Sequence, residues 1–290
     1  MKLSRRTAPS HAGQCVLVTG GASGLGLELV KLFVADAARV VVADLHAERP
    51  ASVPDGVDYL TLDVRDDAAW ADALAWVEQH WGRLDVLVNN AGVAVGGRID
   101  TTAIADWERA LSINLMGVVR GCRTFTPMMK TQRSGHIVNT ASLAGLVHAP
   151  AMATYNATKA AVVAVSETLQ NELAPFGIDV SVICPSFFRT NLAQSLAGAD
   201  TEMEANAVEL INGSPHSAAD VTRTADAFFL DLPADQAETF ADFLQKMIFW
   251  SQVEVERTEL ALLTVLGPAD AVSALPSSDA AAFDRAYPWP

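Results

Sequence analysis

The sequence predicts an α/β domain built on a doubly wound parallel sheet, with helices on both faces. Short runs that are apolar throughout alternate with longer stretches that are apolar at helical spacing. The first of these runs passes directly into a glycine-rich turn, and that turn opens the first helical stretch.

The runs Cys15–Thr19, Arg39–Asp44, Tyr59–Asp63, Asp85–Asn89, His136–Thr140 and Asp179–Cys184 are rich in Val, Ile and Leu. Strands buried on both faces read this way. Between them, Leu25–Ala35, Ala68–His80, Ile104–Arg123 and Ala153–Ala174 are Ala-rich with helical periodicity. Such alternation argues for a parallel sheet, and right-handed crossovers restrict it to the doubly wound type. The pattern weakens after Thr190. Asn191–Gly213 is polar and rich in small residues, with one amphipathic piece around Met203–Ile211. Ser217–Phe229 and Asp235–Trp250 each suit a helix, and the composition beyond Pro268 suggests a surface tail.

With 290 residues, half of them hydrophobic, the chain can bury a sizeable core. A net charge of −14 argues against nucleic acid and anionic membrane surfaces as partners. No apolar run is long enough to span a bilayer. Cys15, Cys122 and Cys184 are widely spaced among apolar neighbours, with no metal-ligand spacing, and read as buried free thiols. Met1 to Gly13 carries basic residues but no apolar stretch of the kind a signal peptide needs. The expectation is a soluble, cytoplasmic protein without a metal.

The first strand runs into Thr19-Gly20-Gly21-Ala22-Ser23-Gly24-Leu25-Gly26. A turn of this kind lets backbone approach a pyrophosphate and aims a helix N-terminus at negative charge. Gly20 serves the tight turn, Gly24 clears the phosphate, and Gly26 lets helix and strand pack closely. Ser23 and Leu25 belong to the same cradle. The second strand ends in Asp44, where an acid accepts both ribose hydroxyls of a dinucleotide and repels a 2′-phosphate. Leu45 follows, with no Arg or Lys directly after Asp44. NAD is therefore expected over NADP; the plainer reading of Asp44 is a strand-end turn residue. Asp63 and Val64 stand where they meet an adenine. Asn90, Ala91 and Gly92 stand where they line the cofactor channel. Taken singly, each is an ordinary strand-ending turn.

The fifth strand ends at Thr140, followed by Ala141 and Ser142, and Tyr155 and Lys159 then share one helix face. A phenol with an ordinary pKa of about 10 is a poor base at neutral pH, and lowering it by about three units needs roughly 4 kcal/mol. A lysine cation one turn away favours the phenolate. The alternative is a Tyr packing under a solvated Lys.

Together these motifs resemble the short-chain dehydrogenase/reductase family in its compact single-domain, Rossmann-like form. Thr19–Gly26, Asp63, Asn89–Gly92, Asn114, Ser142, Tyr155 and Lys159 match its motifs in order and spacing, over roughly Gly13 to Thr190. The resemblance implies that Tyr155 is the general acid/base and that Ser142 steadies the substrate oxygen. It implies that Lys159 holds the nicotinamide ribose and lowers the Tyr155 pKa, and that Asn114 holds a water linking Lys159 to solvent. Pro185-Ser186-Phe187-Phe188-Arg189-Thr190 resembles the family's loop after the sixth strand, with Pro185, Phe188 and Thr190 at the nicotinamide amide. Two departures stand out. Ser186 occupies a position usually Gly, and the usual closing strand is not evident. Ala227–Leu230 and Leu260–Leu266 are its two candidates. A homodimer or homotetramer is the assembly implied.

The expected organisation is a dinucleotide-binding and catalytic domain over 1–232, with a lid over about 191–213. A C-terminal extension, 233–290, serves as lid or oligomer contact. Leu143, His148, Met152, Phe187 and Leu192 are the candidate substrate contacts, mostly apolar, and imply a hydrophobic secondary alcohol or ketone. A lean towards aromatic alcohols comes from Thr140–Leu146. Two other readings compete. One is a biosynthetic NADPH ketoreductase, against which Asp44 speaks. The other is a cofactor-bound regulator without turnover, with Phe249, Trp250 and Trp289 as its partner surface.

Overall fold

β1 (Cys15–Thr19), β2 (Arg39–Asp44), β3 (Asp58–Thr61), β4 (Val86–Asn89), β5 (Gly135–Thr140) and β6 (Ile178–Ile183) form one parallel sheet in the order β3-β2-β1-β4-β5-β6. These strands and their connections come from a computed structural model that describes residues 11–196 and 200–222, and the backbone of 254–257 and 263–266. The chain divides into two units, Met1–Leu230 and Asp231–Pro290. In the first, the chain winds outward from β1 to β3 and then returns to place β4 on the other side of β1. That reversal leaves a crevice at the C-terminal ends of β1 and β4, where open parallel sheets bind ligands.

Alternation along the strands feeds two cores. Leu17, Leu87 and Ile137 face Trp70, Phe125, Met129 and Leu173. Val16, Val18, Val88 and Val138 face Leu25, Leu29 and Phe33. The helices are α1 (Gly24–Ala35), α2 (Asp67–His80), α3 (Ile104–Ala110), α4 (Met116–Gln132), α5 (Ala153–Leu173) and α6 (Thr201–Gly213). Among the described residues, no helix is long and apolar enough to cross a membrane.

Four expectations need correction. The stretch Ile104–Arg123 is not one helix: a π-helical turn over Leu111–Leu115 separates α3 from α4, and α4 runs on to Gln132. The break coincides with Asn114, whose buried amide bonds to another segment rather than to solvent. The third strand ends at Thr61, not Asp63. Leu62 still donates to the Asp44 carbonyl at 2.8 Å, but the Asp63 carboxylate then accepts the Arg65 amide at 2.9 Å and turns the chain away. Cys184 is half-buried, unlike Cys15 and Cys122, because it lies just past β6 at the crevice. Finally, Leu263–Leu266 pairs antiparallel with Glu254–Arg257 in a separate two-stranded sheet, β7-β8, and does not extend the parallel one. Two-strand pairing of this kind satisfies the backbone without the long crossover that a further parallel strand needs. The Met203–Ile211 piece is the middle of the longer α6. Ala227–Leu230, Asp235–Trp250, Trp289 and most of Ser217–Phe229 lie outside the described residues.

Candidate active site

The glycine turn is shaped by close backbone approach. A Cβ on Gly26 would lie 2.2 Å from the Gly20 carbonyl oxygen, and one on Gly20 2.9 Å from the Ala91 Cα. Gly24, with φ of +54°, brings its Cα under Thr190, whose Oγ1 would stand 2.8 Å from an added Cβ. Ser23 is the N-cap of α1 but its side chain makes no capping bond, and the first turn holds no acidic residue. This helix start thus has neither a side-chain cap nor an acid of its own first turn to answer its amides and positive dipole end. The turn therefore fits a pyrophosphate: a helix begins there, and side chains are missing where an anion must come close.

At the end of β2, the Asp44 carboxylate accepts the Ala22 amide at 3.1 Å, so its charge stands beside the turn. Leu45 projects into solvent. Asp63 is chelated by Arg65, with Nη2 at 2.6 Å; these bonds hold its carboxyl below the usual carboxylate range. Val64 is turned into the core, where a Cβ on Gly117 would meet it at 2.9 Å.

Thr19 joins the strands at the crevice. Its hydroxyl accepts the Asn90 and Ala91 amides at 2.9 and 3.1 Å and donates to the Val88 carbonyl at 3.3 Å. The Asn90 amide donates to the Thr19 carbonyl at 3.1 Å, and Thr140 Oγ1 donates to Asn90 Oδ1 at 3.4 Å. Asn90 thus ties β1, β4 and β5 together, so its amide is committed to the scaffold. Gly92 is the narrow point beyond it: an added Cβ would lie 3.3 Å from Asn114 Oδ1 and 3.7 Å from Lys159 Nζ.

Ser142, Tyr155 and Lys159 converge where β5 meets α5. Ser142 caps the short 3-10 turn Leu143–Gly145 by accepting the Ala144 amide at 3.2 Å, and donates to the Pro185 carbonyl at 3.3 Å. Its hydroxyl also lies close enough to Tyr155 to favour the phenolate. Lys159 Nζ donates to the Thr140 carbonyl at 2.8 Å. Asn114 accepts the Val93 amide at 2.8 Å, and donates to the Val93 carbonyl at 2.9 Å and to Thr158 Oγ1 at 3.3 Å. Thr158 in turn donates to the Tyr155 carbonyl at 2.9 Å. Asn114 therefore joins the segment after β4 to the helix that carries Tyr155 and Lys159.

Electrostatics in the protein alone run opposite to the expected lowering of the phenol. Burial pushes Tyr155 up to about 12, against a smaller opposing effect of the Ser142 hydroxyl. Burial draws Lys159 down to about 8, opposed by the Cys184 thiol. Both groups are shifted towards neutrality because a dry site disfavours either charge.

The loop after β6 closes the crevice. Half-buried Phe188 packs against the core cluster that holds Val16, Val18 and Leu25. Thr190 Oγ1 accepts the Leu192 amide at 3.4 Å, capping the 3-10 turn Asn191–Ser195. Among the substrate candidates, Leu143, Met152 and Leu192 are half-buried, whereas His148 and Phe187 are exposed. Leu146 and Leu210 are exposed as well. Sequence reasoning missed the bridging roles of Thr19 and Thr158, and the contacts of Arg98 and Ala94 with the lid. A Ser/Thr at a strand end and a Thr beside Lys159 are too ordinary to signal these roles.

A family model described as short chain dehydrogenase matches residues 14–200. A 3-alpha-(or 20-beta)-hydroxysteroid dehydrogenase of Mycobacterium bovis is 38% identical over 182 residues, 61% of this chain and 70% of that protein. An NADP-dependent (R)-specific alcohol dehydrogenase of Lentilactobacillus kefiri is 34% identical over 200 residues, 66% of this chain and 79% of that protein. The crystal structure of a short chain dehydrogenase/reductase from Burkholderia phymatum in complex with NAD superposes with a TM-score of 0.71 at 30% identity, covering 76% of this chain and 87% of that one. With the family's motif residues gathered at one crevice, this chain belongs to the short chain dehydrogenase family and is an oxidoreductase acting on CH–OH donors.

Proposed function

We propose that the protein interconverts a hydrophobic secondary alcohol and its ketone with NAD(H), using Tyr155 as general acid/base. The observation that supports this reading most is the buried Tyr155, with the buried Lys159 one helical turn away and the half-buried Ser142 beside it. Nicotinamide supplies the hydride acceptor for oxidation, and in its reduced form the donor for reduction. In oxidation the Tyr155 oxygen takes the hydroxyl proton of the alcohol; in reduction it returns that proton to the carbonyl oxygen. Ser142 is already oriented by the Ala144 amide and donates to the substrate oxygen once it turns from the Pro185 carbonyl. The Lys159 ammonium favours the phenolate.

Asp44 supports NAD over NADP, since a 2′-phosphate beside its carboxylate meets like charge. The exposed or half-buried Leu143, Leu146, Met152, Phe187 and Leu192 favour an apolar, neutral substrate. The hydroxysteroid and alcohol dehydrogenase relatives are consistent with a bulky secondary alcohol. NADH formation from NAD, measured with aliphatic, aromatic and steroid-like secondary alcohols beside Tyr155→Phe, tests the reading. Turnover lost in the variant supports it. Equal turnover with NADP overturns the cofactor assignment. Tight NAD binding with no turnover on alcohols or ketones overturns the catalytic reading in favour of a regulator.

A further inference from the structure

We propose that the Arg98–Asp200 ion pair is the pin that seats the substrate lid, making both of them positioning residues that set substrate affinity. This rests on the oxidoreductase reading above. Asp200 stands at the N-cap of α6, accepting the Met203 amide at 3.5 Å. Its side chain is 2% exposed, while that of Arg98 is 52% exposed. One carboxylate oxygen receives Arg98 Nε at 2.8 Å, the Arg98 amide at 3.0 Å and Thr101 Oγ1 at 3.1 Å. The other receives Arg98 Nη2 at 2.9 Å. A forked guanidinium contact of this kind fixes orientation as well as distance. A buried carboxylate that loses its paired cation is strongly disfavoured.

The loop holding Arg98 grips the lid at a second point. The Ala94 amide donates to Ser195 Oγ at 2.8 Å, and Arg109 reaches the Ser195 carbonyl at 3.5 Å. The same loop carries the start of α5. The Gly97 amide donates to the Ala151 carbonyl at 2.8 Å, and Gly97 bridges Met152, the N-cap of α5. Gly97 has φ of +132°, and an added Cβ would lie 2.7 Å from Thr102 Oγ1 and 3.3 Å from the Asp200 Cβ. Lid and acid/base helix therefore share one mount. Arg98 and Asp200 themselves lie outside the sheet and outside the glycine turn, so releasing the pin moves the lid against Tyr155 while leaving cofactor binding alone.

The test compares Arg98→Gln, Arg98→Lys and Asp200→Asn in the full-length protein. Asp200→Asn keeps an acceptor at the α6 cap and removes only the charge. Expected for Arg98→Gln and Asp200→Asn is a KM for the alcohol raised about tenfold or more, with kcat and NAD affinity changed by less than about twofold, since uniform substrate binding is what is lost. Amide hydrogen exchange over 201–213 should quicken while that over 24–35 and 153–173 stays unchanged, and Arg98→Lys should restore part of both effects. An unchanged KM in an enzyme whose wild type turns over overturns the proposal. A joint loss of kcat, KM, NAD affinity and thermal stability overturns it too, because that marks general destabilisation. If the wild type turns over no alcohol, the functional reading fails separately. Exchange alone then decides: unchanged rates over 201–213 overturn the pin, and faster rates confined there uphold it.

Discussion

Lys159 Nζ stands 5.7 Å from the centre of the Tyr155 ring, yet its hydrogen bond goes to the Thr140 carbonyl. The amine is thus held over the phenol ring by the end of β5. Burial raises the phenol and lowers the ammonium, so each titration leaves a mark on stability.

For Lys159 the folded value, about 8, lies below the ordinary 10.5. Above about 8 the unfolded chain binds a proton that the folded one does not, so this group's contribution to stability rises with pH up to about 10.5. For Tyr155 the folded value of about 12 lies above 10, and its contribution falls as pH rises between them. Urea denaturation at about pH 7.5 and about pH 10 checks the first of these. The stability difference between wild type and Lys159→Met should shift in favour of wild type at the higher pH. A pH-independent difference means that the amine is not desolvated as its burial implies.

Activity carries the opposite pair of slopes. With Tyr155 as the proposed acid/base, oxidation needs the phenolate and reduction the phenol, so kcat/KM should rise with pH for the alcohol and fall for the ketone. Tyr155→Phe should remove about 10²–10⁴-fold of either rate. Parallel slopes in the two directions mean that a different group moves the proton.

Much of this was legible in the sequence. Continuous Val and Leu runs announced the strands because parallel strands are buried on both faces. Tyr155 and Lys159 were readable because helical spacing alone puts them on one face. What escaped depends on contacts between distant segments. Arg98 and Asp200 are 102 residues apart, and nothing local marks either as the partner of the other. The π turn at Leu111–Leu115 carries Asn114, which satisfies both polar groups of Val93, and periodicity carries no trace of that pairing.

Gly145 sets how closely Ser142 can approach α5. A Cβ there would lie 2.7 Å from the Lys159 carbonyl carbon and oxygen and 3.0 Å from the Ala160 amide. These are backbone atoms in mid-helix, so the 3-10 turn must retreat instead. Gly145→Ala should cost about 1–3 kcal/mol of stability by overpacking. It should also lower kcat while leaving NAD affinity intact, because Ser142 moves and the glycine turn does not. Calorimetry and steady-state kinetics read the two effects; a variant with wild-type kcat means that the Ser142–Tyr155 spacing tolerates the shift.

Asn114→Ala removes the partner of both Val93 backbone groups. Leaving a buried donor or acceptor without a partner costs about 1–3 kcal/mol. Asn114→Asp keeps the acceptor for the Val93 amide but loses the donor to its carbonyl and to Thr158. The expected order of denaturation midpoints is wild type, then Asn114→Asp, then Asn114→Ala. If the alanine variant matches wild type, solvent already satisfies Val93 and Asn114 is not the link between the β4 loop and α5.

On the proposed reading, Asp44 decides the cofactor by charge. Its carboxylate is held to the glycine turn by the Ala22 amide at 3.1 Å, with exposed Leu45 beside it and no cation following. A phosphate on the adenosine ribose meets that charge directly, while two free hydroxyls find an acceptor. Asp44→Ala should therefore erode the preference for NAD over NADP by about tenfold or more, a change of roughly 1.4 kcal/mol. Asp44→Asn separates the two contributions, since it keeps a hydrogen-bond acceptor and removes the repulsion. It should gain NADP affinity while losing little for NAD. If both variants keep the wild-type ratio of kcat/KM for the two cofactors, the discrimination resides elsewhere in the crevice, and the charge argument at the end of β2 is wrong.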